Sequence, residues 1–223
     1  MKNHNIIVVK VGTNTLIDAN NHIRHEVIRN ILAAASQVSK TDKRVVVVTS
    51  GATKLGRIIG QDQTLSTAIA ASLGQPVLFA SYAQEAEVIG ITLAEFLITR
   101  PTLVRREQFL RLQNTFEELF AKQVVPVVNE NDALTAGTDW SFGDNDSLAA
   151  ALAIAFKAEQ LIILSHIEGL FDSDPDKNPN ARLIEQVDDI NSELLKVSAT
   201  AVSTGGRGGM LSKLKAARIC TAI

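Results

Sequence analysis

Four consecutive valines, Val45-Val46-Val47-Val48, restrict the fold of this chain more than any other feature. Successive side chains of a strand point to opposite faces, so an unbroken apolar run is buried on both. Such strands belong to parallel sheets covered by helices on either side, not to a sheet with one wet face. The rest of the chain repeats the theme. Ile6-Ile7-Val8-Val9-Lys10-Val11 is a nearly continuous apolar strand, and 91–98, 124–128 and 161–164 read as three more. Between them run helical periodicities. Residues 24–40 carry Val27, Ile28, Ile31, Leu32, Ala35 and Val38, and 105–122 place Phe109, Leu112, Phe116, Leu119 and Phe120 on one side. Residues 65–87 and 145–157 are Ala-rich, the first with a break expected near Gly74-Gln75-Pro76. Pro126 has no N–H to give a ladder, which puts it at a sheet edge or a strand start. Residues 165–187, dominated by Asp, Asn, Gly and Pro, read as loops or a hairpin, and 210–223 as a helix. This alternation predicts an α/β fold, a three-layer αβα sandwich with a mostly parallel central sheet.

Composition narrows the function classes. Of 223 residues, 46% are hydrophobic and 21% charged, enough apolar material to offset chain entropy, which excludes disorder. The length suits one large domain or two small ones, able to bury about 70% of the unfolded surface. With 22 basic and 24 acidic side chains the net charge is -2, and Trp140 and Tyr82 form no stacking series, so no nucleic-acid partner is expected. Cys220 is the lone cysteine, which forms no internal disulfide and reads as a small core residue of a helix. A membrane span needs ~18 apolar residues, and the longest apolar stretch, 148–156, is half that. The start, Met1-Lys2-Asn3-His4-Asn5, leads into a strand and not into a signal-peptide core. A cytoplasmic protein without a membrane partner is expected.

In parallel α/β folds ligands sit in the crevice at the carboxyl ends of the strands. The segments after the strands are therefore the informative ones. Lys10 interrupts an apolar strand, so its ammonium either snorkels to solvent or serves as a cation at the crevice mouth. Thr49-Ser50-Gly51-Ala52 is either a plain turn with Ser50 capping a helix, or a cradle of backbone N–H groups for an anion. Asn129-Glu130-Asn131-Asp132 gathers four acceptor-rich side chains. Phe142-Gly143-Asp144-Asn145-Asp146 stands directly before an Ala-rich helix, where Asp146 or a neighbour either caps that helix or faces a ligand. Residues 203–213 form a Gly-rich entry into a helix with Lys213 in its first turn. This is the logic of a phosphate cradle without the Walker A spacing, and a flexible loop is the alternative.

Taken in order along the chain, Lys10-Val11-Gly12-Thr13, Val46-Val47-Val48-Thr49-Ser50-Gly51-Ala52, Pro126-Val127-Val128-Asn129-Glu130-Asn131-Asp132, Gly143-Asp144-Asn145-Asp146 and Gly208-Gly209-Met210 with Lys213 resemble the amino-acid kinase family, in particular its glutamate branch. The resemblance implies an enzyme that uses ATP and Mg²⁺ to phosphorylate the γ-carboxylate of L-glutamate to γ-glutamyl phosphate, the first step towards proline. An acceptor carboxylate with a reference pKa of ~4.3 is already ionised and needs no general base. Catalysis then rests on cations and alignment. By resemblance, Lys10 and Lys213 neutralise the transferring phosphoryl group and Asp146 holds both lysines. Ser50, Gly51, Ala52, Asn129, Asp132 and Asn145 contact the amino acid. Lys10, Ser165, His166, Gly206, Arg207, Gly208, Gly209, Met210 and Lys213 contact the nucleotide. Mg²⁺ is expected on the ATP phosphates, with no metal site of the protein's own.

Two positions depart from the family pattern. Ser165-His166 stands where Thr-Asp is usual, and Arg207 replaces a Thr in the Gly-rich loop. Both bear on the nucleotide more than on the amino acid. The resemblance also divides a single domain, 1–223, into an acceptor-binding part at about 1–157 and a nucleotide-binding part at about 158–223. That domain is short at its C-terminus, since the family continues past Cys220 through a further strand and helix, and no C-terminal RNA-binding-type domain is expected. Inhibition by proline, transfer of the acyl phosphate to a reductase, and assembly as dimers or tetramers are implied as well. Two other readings stand beside this one: a binding or regulatory relative that has lost turnover, and a related kinase with another acceptor, such as a nucleoside monophosphate or acetylglutamate.

Overall fold

The four valines divide between the two faces of the sheet. Val45 and Val47 enter one apolar cluster, Val46 and Val48 the other, and none is more than 3% exposed. A computed structural model describes residues 5–173, 175, 178–191, 194–195 and 209–222. Its strands β1 (Asn5–Val11), β2 (Lys43–Val48), β3 (Leu93–Ile98), β4 (Val125–Glu130) and β5 (Gln160–Leu164) form one parallel sheet in the order β3-β4-β2-β1-β5. The helices are α1 (Thr13–Leu16), α2 (His25–Ser39), α3 (Ala52–Ile59), α4 (Thr67–Val88), α5 (Arg100–Val104), α6 (Arg106–Ala121), α7 (Asp132–Thr135), α8 (Asn145–Ala155) and α9 (Met210–Thr221). Ile28 and Leu32 of α2, Leu55 of α3 and Leu78 and Tyr82 of α4 cover one face. Leu112, Phe116 and Phe120 of α6 and Leu148 and Leu152 of α8 cover the other, and α9 packs on α8. The sandwich expected from the alternation is the one observed. Among the described residues no helix is long and apolar enough to cross a membrane.

Several local expectations resolve in instructive ways. Pro126 is the second residue of an interior strand, so the edge reading fails and the strand-start reading stands. The β2–β4 ladder begins only at Val47–Val127, one residue later, where an N–H is available. Residues Leu170–Phe171 and Leu183–Ile184 pair antiparallel as β6 and β7, the hairpin option for that segment. Cys220 is partly buried against the α8 side of the core, and burial pushes its thiol up.

The break expected at Gly74-Gln75-Pro76 is absent: α4 runs straight through Pro76. Pro76 removes the N–H that would serve the carbonyl of Ser72, four residues back, but Ser72 and Pro76 are both exposed, so water can serve it instead. Gly74 has another task. It lies where α4 crosses α3, and a Cβ there would sit 1.9 Å from the carbonyl oxygen of Ala52; one on Gly56 would sit 1.7 Å from that of Ala70. Both obstacles are backbone and cannot rotate away. Gly74→Ala is therefore expected to lower unfolding free energy by about 1–3 kcal/mol through overpacking, read as a lower urea midpoint. A midpoint equal to the parent's would refute the close crossing. On the outer side of the same layer, α4 is tied to α2 by Glu85, 2% exposed, which accepts from Arg29 Nε (2.7 Å) and lies 3.0 Å from His25 Nδ1.

Candidate active site

Strand β1 lies between β2 and β5, and the chain reverses direction across the sheet at this point. The carboxyl ends of β1, β2, β4 and β5 open into a cleft of about 450 Å³. Lys10 is the penultimate residue of β1 and is only 5% exposed. Its ammonium does not snorkel to solvent. Nζ lies 2.6 Å from Asp146 Oδ1, and the other carboxylate oxygen, Oδ2, is 3.3 Å from Lys213 Nζ and accepts from Ser212 Oγ at 2.5 Å. Asp146 is fully buried. Lys10 comes from the first strand and Lys213 from the last helix, so two distant segments converge on one carboxylate.

The α8 entrance explains why Asp146 is available for this. The preceding residue pair settles the capping question: Asp144 is the N-cap, accepting from the Ser147 N–H at 2.7 Å. Asp146, two residues on, faces inward instead. Burial by itself opposes its ionisation, but Lys10, Ser212 and Lys213 outweigh that and hold its carboxyl below the usual carboxylate range. For Lys10 burial wins: desolvation pulls the ammonium below the ordinary lysine value by more than Asp146 restores, and Lys213 adds to the fall. The one carboxylate thus holds two ammonium groups at the cleft.

The end of the second strand is not a plain turn with Ser50 as cap. Gly51, not Ser50, is the N-cap of α3, at φ +106°, a left-handed conformation that favours glycine. No side chain caps this helix. Its first N–H groups therefore lie along the cleft, which Gly51, Ala52, Thr53 and Lys54 all line. The Ser50 hydroxyl donates to the Val11 carbonyl (2.7 Å) and accepts from Thr13 Oγ1 (3.2 Å), binding the ends of β1 and β2 together. As arranged, the donors this turn offers to an anion are main-chain ones.

The same cleft holds a group of acceptors. Asn129 is the penultimate residue of β4 and is 2% exposed; Asn145 begins α8; Asp132 begins α7. Asn145 Nδ2 donates to the Thr49 carbonyl (2.8 Å) and to Asn129 Oδ1 (2.9 Å). All three residues line the cleft. Ser165 and His166 follow β5 and line it too, and Gly209 caps α9, which begins at Met210. Gly206, Arg207 and Gly208 lie outside the described residues. Apart from these three, the residues singled out from sequence gather in one cleft or at its α9 edge.

Some contributors were not singled out. Glu130 is 5% exposed and accepts from Thr135 Oγ1 (2.8 Å) and the Phe142 N–H (2.9 Å), closing the loop that carries Asp132 back onto the strand. Lys54 and Arg57 of α3 add cationic side chains to the lining, although Arg57 already donates to the Leu65 carbonyl at 3.3 Å. Ser212 adds a hydroxyl to Asp146. Only Glu130 carried a signal, as a charged residue inside the motif after β4. Among the described residues no group of three or more His, Cys, Asp or Glu side chains is placed to hold a metal ion.

The fold and this cleft define an α/β protein with a crevice at the strand ends, lined both by basic side chains and by carboxylate and amide groups. The chain belongs to the amino acid kinase family, which matches residues 5–222. A glutamate 5-kinase of Proteus mirabilis (strain HI4320) is 36% identical over 224 residues, covering 98% of this chain and 61% of that protein. One of Photorhabdus laumondii is 38% identical with the same coverages, and one of Clostridium acetobutylicum is 37% identical over 226 residues, covering 99% of this chain and 84% of that protein. The chain thus spans 61% of the length of the first two relatives. Among solved structures, an isopentenyl phosphate kinase of T. acidophilum in a product complex shares the fold at TM-score 0.55 and 15% identity, covering 80% of this chain and 78% of that one.

Proposed function

We propose that this protein transfers the γ-phosphoryl group of ATP to the γ-carboxylate of L-glutamate, giving γ-glutamyl phosphate and ADP. A carboxylate oxygen forms the new bond to phosphorus as the bond from phosphorus to the β–γ bridging oxygen breaks. No proton is moved, because the acceptor is ionised at neutral pH. The difficulty is repulsion between two anions, and the observation that carries the reading is the placement of Lys10 and Lys213 on the two oxygens of Asp146. Paired this way, both ammonium groups are oriented before a ligand arrives, so little reorganisation is needed as charge moves across the phosphoryl oxygens. Mg²⁺ carried on the triphosphate supplies further charge neutralisation when bound.

Recognition of the acceptor follows from the lining of the cleft. The carboxylate of Asp132 and the side-chain oxygen of Asn145 suit the α-ammonium, and the N–H groups of Gly51 and Ala52 suit a carboxylate. A nucleotide acceptor gives no use for an acidic pocket. In this reading residues 1–157 form the acceptor part and 158–223 the nucleotide part, with Ser165, His166, Gly206, Arg207, Gly208, Gly209 and Met210 beside ATP. A cytoplasmic location, assembly as dimers or tetramers, inhibition by proline in the amino-acid pocket, and a reductase that consumes the labile acyl phosphate belong to the same proposal. The test is ADP release with ATP and Mg²⁺ in the presence and absence of L-glutamate. Glutamate-dependent release is expected; release indifferent to glutamate would refute it.

A further inference from the structure

We propose that Gln75 is a positioning residue of the acceptor site: anchored from outside by Glu95, it orients the amide of Asn129 and, through it, the amide of Asn145, so that Asn145 offers the ligand a carbonyl oxygen and no N–H. The inference rests on the reading that the acceptor carries an ammonium group.

Asn145 Nδ2 has two hydrogens, and both are engaged, one by the Thr49 carbonyl and one by Asn129 Oδ1. A main-chain carbonyl only accepts, so the Asn145 amide cannot be reversed without setting oxygen against oxygen. Asn129 Oδ1 also accepts from the Glu130 N–H at 2.9 Å. Asn129 must then turn its own Nδ2 outward, and it does, donating to Gln75 Oε1 at 2.8 Å. Gln75 in turn directs Nε2 at the Glu95 carboxylate, which again only accepts. A chain of three amides is thus terminated by an obligate acceptor at each end, and only one polarity satisfies all of it.

The consequence falls on the cleft. Among the described residues no donor reaches Asn145 Oδ1, and Asn145 lines the cleft together with the Asp132 carboxylate. A carbonyl oxygen without an N–H beside it, in a cleft that also holds a carboxylate, favours a cationic group. Asn129 is 2% exposed, so an Nδ2 deprived of Gln75 would be left inside the protein without an acceptor. The Glu130 N–H and Asn145 Nδ2 both hold Oδ1 and oppose reversal of the amide, so the Asn129 side chain turns to find another acceptor for Nδ2 and draws the Asn145 amide out of place with it.

Steady-state kinetics on the full chain with L-glutamate and with glutarate, which lacks the α-ammonium, tests this. Gln75→Leu is expected to raise KM for L-glutamate roughly tenfold, the worth of one hydrogen bond to a charged group, with kcat within about threefold and with glutarate unaffected. The reciprocal swap Gln75→Glu with Glu95→Gln reverses the outer hydrogen bond but keeps an acceptor at position 75 for Asn129 Nδ2, and it is expected to bring KM back to within about threefold of the parent. An unchanged KM in Gln75→Leu overturns the inference, and so does an equal loss for both acceptors, which marks a merely structural role. Side-chain amide NMR separates this from the proposed activity. Faster exchange of the Asn145 Nδ2 protons in Gln75→Leu supports the inference whether or not the parent turns over glutamate, and unchanged exchange overturns it.

Discussion

Asp146→Ala is expected to lower the unfolding free energy by about 3–5 kcal/mol, the cost of removing one partner from a buried ion pair, and to abolish glutamate-dependent phosphoryl transfer. Asp146 is fully buried and Lys10 nearly so, and the variant removes the carboxylate that both ammonium groups contact. Urea unfolding at neutral pH measures the first effect and ADP release the second. Asp146→Asn separates charge from shape, since it keeps an acceptor for Ser212 and removes the attraction for both lysines. The apolar double variant Lys10→Met with Asp146→Leu is expected to recover most of the stability and none of the activity, because replacing a buried pair entirely is far cheaper than breaking it. An Asp146→Ala protein as stable and as active as the parent would rule out the carboxylate as the hub of the site.

Lys10→Ala is expected to reduce kcat about 100- to 1,000-fold, the usual consequence of deleting one preorganised group that stabilises transition-state charge. The parent's own pH dependence adds a second check. Burial lowers the pKa of Lys10, so kcat/KM should decline on the alkaline side at a pH below the ordinary lysine value of ~10.4. The sign for stability is the opposite of a gain. Between the lowered folded value and the ordinary one the unfolded chain binds the extra proton, so Lys10's contribution to stability rises with pH across that window. Asp146 works the other way. Its depressed pKa contributes stability above the ordinary aspartate value, lost as pH falls through the folded value. An alkaline limb at or above the ordinary lysine value would refute the buried, partly compensated state of Lys10.

These expectations depend on residues that differ in how openly the chain announced them. Lys10 could be read as exceptional without coordinates, because an ammonium inside an apolar strand needs a partner. Asp146 could not be separated from Asp144. Both stand at a helix start, and a side chain two positions along points to another side of the helix, so the choice between cap and cleft depends on how α8 docks against β1. Ser50 looked like a cap by residue type, yet Gly51 takes that place because the turn requires a positive φ. Gln75 carried no signal beyond its neighbours Gly74 and Pro76, which read as a helix break. Its meaning comes from Asn129 and Glu95, 54 and 20 residues away.

The layering, the parallel sheet and the end of the sheet at which the cleft opens were already written in the order of residues. Periodicity is a local property, and apolar burial on both faces of a strand leaves few architectures open. The ion pairing of Lys10 with Asp146, the unbroken course of α4 across α3 and the polarity of the amide chain were not. Each is a contact between segments far apart in the chain, and its energy exists only once packing has brought the partners within hydrogen-bond or van der Waals reach.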